Sequence, residues 1–421
     1  MMPADDQLTT ARQRIAAAYD PALLHDAGRR LADLLAANLE RAEHSAGAVL
    51  PWAEPSTAVD EARAFLRDEA GSEPETSAAG DQFAALVRVM LERGLNLHDP
   101  RYIGHQVPAP VPLAGLFDAV GSVTNQVMAV YEMGPWASAV ELAMVRELGE
   151  AIGWAPDTFS GTVTHGGSLA NLTALLTARN VALGESWDQG LAGGASQPAP
   201  VLLTHAEAHY SVARAAGILG LGSRQTVRVG LDTRGRMDPR RLDEELARLR
   251  AEGRPVVAVV ACACATPIGA FDPLEEIAAV CRKHGVWLHA DAAHGGSALL
   301  SERHRHLLAG IEHADSVVLD AHKMLFVPGL CAFVLYRDRS RVFDTFRQDA
   351  PYLFDPAAPG LADYDSGVRS VECTKRAAAF GLWGVWSLFG RQLFGDMVDV
   401  TFALGRTLHA KLTAADDFVP L

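Results

Sequence analysis

A chain of 421 residues, 49% of them apolar, has the material for two or three structural units around a large core. Its 37 basic and 51 acidic side chains leave a formal charge of −14 with no dense Lys/Arg block, which argues against a nucleic-acid binder and makes anionic polymers and membrane surfaces poor partners. Cys262, Cys264, Cys281, Cys331 and Cys373 sit in apolar contexts, the start MMPADDQLTTARQR lacks a leader pattern, and no apolar run approaches the roughly 18 to 20 residues of a membrane span; the expectation is a soluble cytoplasmic protein.

In chain order, residues 11–43 and 57–69 have helical spacing, with Leu23, Leu24, Leu31, Leu34 and Leu35 on one stripe, and a Ser/Glu/Pro/Gly stretch at 71–80 closes the region. Helices are expected near 112–131 and 138–152, followed by THGGS, the helix ANLTALLTARNVAL, a polar loop and the strand VLLT. Helices near 209–220, 239–251 and 273–284 then separate the strand candidates TVRVG, PVVAVVACA, VWLHADA, SVVLDA and CAFVLY. This alternation predicts an α/β fold with a mainly parallel sheet covered on both faces. In DPLEEIAAVCRKHG, Asp272 can cap, Pro273 suits the first turn, Glu275 completes a capping box and Gly285 ends the helix. No internal repeat is evident, and low complexity is confined to 190–200.

Sheets of this kind bind ligands at the carboxyl ends of their strands, so the chemistry is sought there. THGGSLAN places Gly166, Gly167 and Ser168 before a strong helix, where free N–H groups and a hydroxyl form an anion cradle; a glycine turn with a serine cap reads the same. HADAAHGG ends a strand with Asp291, followed by Ala292 and Ala293, a carboxylate that needs a partner or else caps a neighbouring loop. HAEAHYS brings His209 just past VLLT, either flat against a planar ligand or as a satisfied core histidine. His304 and His306 form an HxH with no further ligand cluster nearby, so no metal is expected. In DAHKMLF, Lys323 is either a desolvated nucleophilic amine or a snorkelling structural lysine. Together the four features meet the four demands of pyridoxal 5′-phosphate: an anchored phosphate, an aldehyde held as a Schiff base, a sandwiched ring and a protonated ring nitrogen.

From about residue 95 onward the chain resembles the group II pyridoxal-phosphate-dependent amino-acid decarboxylases, which act on glutamate, cysteine sulfinate, diaminobutyrate or aromatic amino acids. The likeness rests on LHDPRYIGHQ, THGGSLANLTALLTARN, HAEAHYSVARAAGILG, ATPIGAFDPLEEIAAVCRKHGVWLHADAAHGG, DAHKML and APYLFDP, in family order and spacing. It implies the type I (aspartate-aminotransferase-like) fold, divided into an N-terminal helical dimerisation segment at 1–95, a large cofactor-binding domain at 96–395 and the start of a small C-terminal domain at 396–421. It further implies that Lys323 forms the internal aldimine, Asp291 pairs with the pyridine nitrogen, His209 stacks on the ring and Ala293 supports the other face. Gly167 and Ser168 would hold the phosphate, with Thr266 and His322 in the cofactor's surroundings. Tyr352, 29 residues after Lys323, matches the mobile-loop tyrosine that protonates the substrate carbon after carbon dioxide leaves. Relatives that make aldehydes differ there, so decarboxylation to an amine is expected. In the family that loop crosses a two-fold interface and the N-terminal helices interlock, so a homodimer is implied; packing of the leucine stripe onto its own subunit is the other reading.

Three departures stand out. Asp320 lies where several relatives carry asparagine near the phosphate, and a second anion there would repel unless it turned toward backbone donors. ACACAT keeps only Thr266 of a threonine pair, and the chain stops at FVPL, early in the expected small domain. His105 and Gln106, at a position that separates substrates in the family, suggest a polar or acidic substrate, or else they satisfy backbone groups around Pro108, Pro110 and Pro112. Diaminobutyrate or aromatic decarboxylation, aldehyde synthesis, transamination and a silent regulatory relative are the competing readings.

Overall fold

The computed structural model describes residues 4–66, 76–191, 198–346 and 363–419. The chain forms two compact units, Met1–Ala109 and Pro110–Leu421. Parts of the expected 57–69 helix and of the 71–80 and 190–200 stretches, and the whole of APYLFDP, lie outside the described residues.

The first unit holds α1 (Ala4–Ala18), α2 (Pro21–Glu43), α3 (Pro55–Ala64) and α4 (Thr76–Arg93). The helix expected over 11–43 breaks at Asp20, whose Oδ1 accepts from Ala22 N at 2.9 Å, with Pro21 at the first helical position where its missing N–H costs nothing. Helix α2 packs on α4, and Arg30 joins Asp26 to Asp81 at 2.7 Å each. Leu23, Leu31, Leu34 and Leu35 are half-buried, while Leu24 is exposed.

The second unit opens with α5 (Pro112–Val123), which stops short of the expected 131 because the chain turns at Asn125 (φ 50°) into β1 (Val127–Met128). Helix α6 (Pro135–Ile152) ends on Gly153, whose left-handed φ of 105° suits glycine. Seven strands follow: β2 (Ser160–Thr164), β3 (Val201–His205), β4 (Thr226–Val229), β5 (Val256–Cys262), β6 (Leu288–Asp291), β7 (Ser316–Asp320) and β8 (Ala332–Tyr336). Their order is β2-β8-β7-β6-β5-β3-β4, and β8 runs antiparallel to its neighbours β7 and β2 while the other pairs are parallel. The short β9 (Lys375–Arg376) pairs with β1. Helices α7 (Gly167–Ala182), α8 (Ser186–Gln189), α9 (Ser211–Ile218), α10 (Pro239–Ala251), α11 (Leu274–His284) and α12 (Phe380–Thr413) complete the unit.

Alternation along the strands divides the core. Leu202 and Val260 pack with Leu175 and Val212 of α7 and α9, and Leu203 and Val259 pack on the other face with Leu148, Leu246 and Ile277 of α6, α10 and α11. Strand β2 is absent from the sequence expectation because SGTVT carries one large apolar residue. Gly161 earns its place sterically, since a Cβ there would stand 2.6 Å from Val334 O of β8.

One local expectation changes. Asp272 does not cap α11: its carboxylate accepts from Met237 N and Cys262 N, both at 2.7 Å, while Gly285 (φ 67°) does end the helix. Helix α12 is interrupted at Gly390 (φ 77°). A buried pair fixes β9: Lys375 Nζ donates to Glu141 Oε1 (2.7 Å), Thr162 Oγ1 (2.8 Å) and Val163 O (2.7 Å). Among the described residues no helix is long and apolar enough to cross a membrane.

Candidate active site

The carboxyl ends of β2, β3, β5, β6 and β7 frame a cavity of about 290 Å³ lined wholly by residues of the second unit. After β2, Gly166 takes φ 108°, a conformation open to glycine, and turns the chain so that α7 begins at Gly167. The first N–H groups of α7 have no intrahelical acceptor and, with Ser168, face the cavity. Gly167 is required by contact as well, because a Cβ would stand 2.6 Å from Asp320 Oδ2.

Asp291 ends β6, 6% exposed, and among the described residues no cation lies within ion-pair distance of it. Its oxygens accept from Ala293 N (3.2 Å) and Asn171 Nδ2 (2.9 Å). Asn171 Nδ2 also reaches Ser211 Oγ at 3.0 Å, so its Oδ1, 2.9 Å from His289 Nε2, is the acceptor there. His289 therefore carries its proton on Nε2, and its Nδ1 accepts from Ser316 Oγ (2.9 Å), which is itself bonded by Trp287 Nε1 (2.9 Å). Burial pushes His289 down to about 4, consistent with a neutral ring. On the other branch, Ser211 Oγ spends its hydrogen on His209 Nδ1 (2.8 Å), which leaves the His209 proton on Nε2. Burial also lowers His209, partly offset by Asp291.

Lys323 follows β7, with its side chain 20% exposed and Nζ 3.2 Å from Asp320 Oδ2. His322 lies beside it, Nδ1 3.0 Å from Cys331 O and Nε2 3.7 Å from Asp320 Oδ2. Burial raises Asp320, and Lys323 and His322 pull it back down. Cys264 and Thr266 close the β5 side, and burial pushes the Cys264 thiol up to about 11.

The structure thus brings Gly167, Ser168, His209, Thr266, Asp291, Ala293, His322 and Lys323 to one cavity. Tyr352 lies outside the described residues. His105 and Gln106 belong to the first unit, where both are exposed and His105 N donates to the Tyr102 hydroxyl at 3.0 Å. Asn171, Ser211, His289, His294 and the pair His165–Glu372 (2.5 Å) were not foreseen. Of these, Asn171 had a local signal, lying three residues after Ser168 on one helix face. A larger hollow of about 630 Å³ opens near the amino ends of β5 and β6; its Arg337 pairs with Asp315 and its Arg341 with Asp338 and Asp344.

The donor set fits a planar, phosphorylated aldehyde with a basic ring nitrogen. Asp291 is a buried carboxylate awaiting a cation, Ala293 is small, and the cradle faces the same space as the Lys323 amine. This architecture is the type I fold of pyridoxal-phosphate-dependent enzymes. The pyridoxal-dependent decarboxylase conserved domain matches residues 84–419, and the chain belongs to that family, within its group II branch. It is 34% identical over 346 residues to acidic amino acid decarboxylase GADL1 of Mus musculus, covering 82% of this chain and 62% of that protein. Cysteine sulfinic acid decarboxylase of Rattus norvegicus is 34% identical over 373 residues, covering 88% of this chain and 73% of that one. A crystal structure of mouse CSAD overlays with a TM-score of 0.83 at 31% identity, covering 94% of this chain and 80% of that chain. The chain spans less than two thirds of the length of the mouse and human GADL1 proteins, 62% and 56%.

Proposed function

We propose that this protein is a pyridoxal-phosphate-dependent amino-acid decarboxylase that converts an acidic amino acid to its amine and carbon dioxide. The observation that carries the reading is the convergence of Lys323, Asp291, His209 and the glycine cradle on one cavity. Lys323 would hold the cofactor's aldehyde, Asp291 its ring nitrogen, His209 and Ala293 its two faces, and Gly167 and Ser168 its phosphate, with Thr266 and His322 alongside. When bound, the cofactor supplies an electron sink for the charge left as the carboxylate departs. The chain's residues do the rest. Asp291 would hold a proton on the ring nitrogen, and Asn171 orients Asp291 by donating to it. His209, its tautomer set by Ser211, presents an N–H toward the cavity. Tyr352 is assigned as the proton donor to the substrate carbon.

The acidic substrate is supported by the likeness to an acidic amino acid decarboxylase and a cysteine sulfinic acid decarboxylase, and His105 and Gln106 are proposed as its polar binding groups. The N-terminal segment, residues 1–95, serves dimerisation, the active form is a homodimer, residues 96–395 hold the cofactor and 396–421 begin a small C-terminal domain. The five unpaired cysteines fit a reducing, cytoplasmic setting.

The test joins two measurements. Borohydride reduction of the loaded enzyme followed by peptide mapping should place the cofactor on Lys323, and Lys323→Ala should lose the label and turnover together. An amino-acid panel assayed for released carbon dioxide should favour aspartate, glutamate or cysteine sulfinate over DOPA, tyrosine and diaminobutyrate. A label on another side chain, or no carbon dioxide from any substrate, would end the proposal.

A further inference from the structure

We propose that Asp320 takes up a proton from solvent when an oxyanion enters the glycine cradle, and that its neutral carboxyl then donates a hydrogen bond to that oxyanion. The inference rests on the reading of the cradle as the seat of the cofactor's phosphate. At this position the sequence leads one to expect repulsion unless the carboxylate turns toward backbone donors. It turns instead toward the cradle: a Cβ on Gly167 would lie 2.6 Å from Oδ2 and 2.9 Å from Oδ1, so both oxygens press on the backbone that would receive the anion.

The two oxygens are not equivalent. Oδ2 has Lys323 Nζ at 3.2 Å and His322 Nε2 at 3.7 Å, whereas Oδ1 is buried and has no hydrogen-bond partner among the described residues. Asp320 as a whole is 2% exposed, so water does not supply that partner freely. Asp291 of β6 adds like charge, Cys331 beside β8 is held neutral by burial, and Gly167, Ser168 and Asn171 of α7 bring no charge. His165, His209 and His294 line the same cavity. An incoming dianion would meet an unshielded carboxylate oxygen in a poorly solvated space, where like charges repel strongly. One proton removes that charge and turns the orphaned acceptor into a donor aimed at the cradle. The same proton releases Lys323 from its carboxylate partner.

Sulfate is the probe, because it does not itself titrate near neutrality. Titrated into the cofactor-free full chain at about pH 7 in two buffers of unlike protonation heat, it should bring close to one proton per anion bound. Its Kd should weaken by up to about tenfold per pH unit above that point, and Asp320→Asn should bind with no proton uptake and little pH dependence. Equal uptake in Asp320→Asn would assign the proton to His165, His209, His294 or His322 and overturn the inference. Sulfate binding to the wild type without uptake would overturn it too, with no variant needed. Failure of sulfate to bind, or to slow capture of pyridoxal 5′-phosphate, would remove the cofactor-seat reading along with it.

Discussion

Asn171 carries more of the site than its place in the sequence announces. Its amide holds Asp291, Ser211 and His289 at 2.9 Å to 3.0 Å, so removing it leaves three buried polar groups short of a partner. Asn171→Ala is expected to cost about 1–3 kcal/mol of stability, read by denaturant unfolding of the cofactor-free chain, and to weaken cofactor capture about tenfold in a spectrophotometric titration. His294 makes a second prediction. Burial and the nearby Lys323 depress it from 6.5 to about 4, so the unfolded chain binds a proton there that the folded chain refuses. Stability contributed by keeping this ring neutral is therefore intact above about pH 6.5 and is lost as pH falls toward 4, by up to about 3 kcal/mol. His294→Gln should flatten that part of the stability-versus-pH curve; an unchanged slope would mean that other groups set it.

At the scale of elements, β9 and β2 depend on one buried charge pair. Lys375 and Glu141 are 1% and 2% exposed at the side chain, and Lys375 spends all three of its hydrogens. Lys375→Met strands Glu141 in the core and should destabilise by about 3–5 kcal/mol, while Lys375→Met with Glu141→Gln should recover much of the loss, because the amide oxygen can still accept from Thr162 and Val163. Thermal or denaturant unfolding of the three proteins decides it. Most elements were legible from local pattern: β3, β5, β7 and β8 are short apolar runs, and α10 and α11 carry clear amphipathic spacing. Strand β2 was not, since its five residues become a strand through pairing with β8, more than 160 positions along the chain. Asp272 misled for a similar reason: it resembles a cap locally, but two distant N–H groups compete for its carboxylate.

For the whole molecule, the first unit leaves Leu8, Ile15, Tyr19 and Leu24 at 57% to 83% exposure, an apolar surface of the kind that marks an interface. Sedimentation at micromolar concentration is expected to report a dimer, and Leu24→Asp should shift it toward monomer while the far-ultraviolet circular dichroism stays that of the wild type. A wild type that sediments as a monomer would remove the dimerisation role.

The sequence by itself determined which chemistry-bearing side chains stand at the ends of strands, and so the class of cofactor that they suit. Strand periodicity, helix punctuation and the residues that follow a strand are local properties, and Lys323, Asp291, His209 and the glycine cradle each lie within a few positions of a recognisable element. The tertiary structure alone decided what each of these groups touches. Asn171 meets Asp291 across 120 positions, Gly167 presses against Asp320 from a different strand end, and the His209 proton is placed by a chain of hydrogen bonds that begins at Trp287. Contacts of that range arise from how helix α7 lies on the sheet, and no short stretch of residues encodes them.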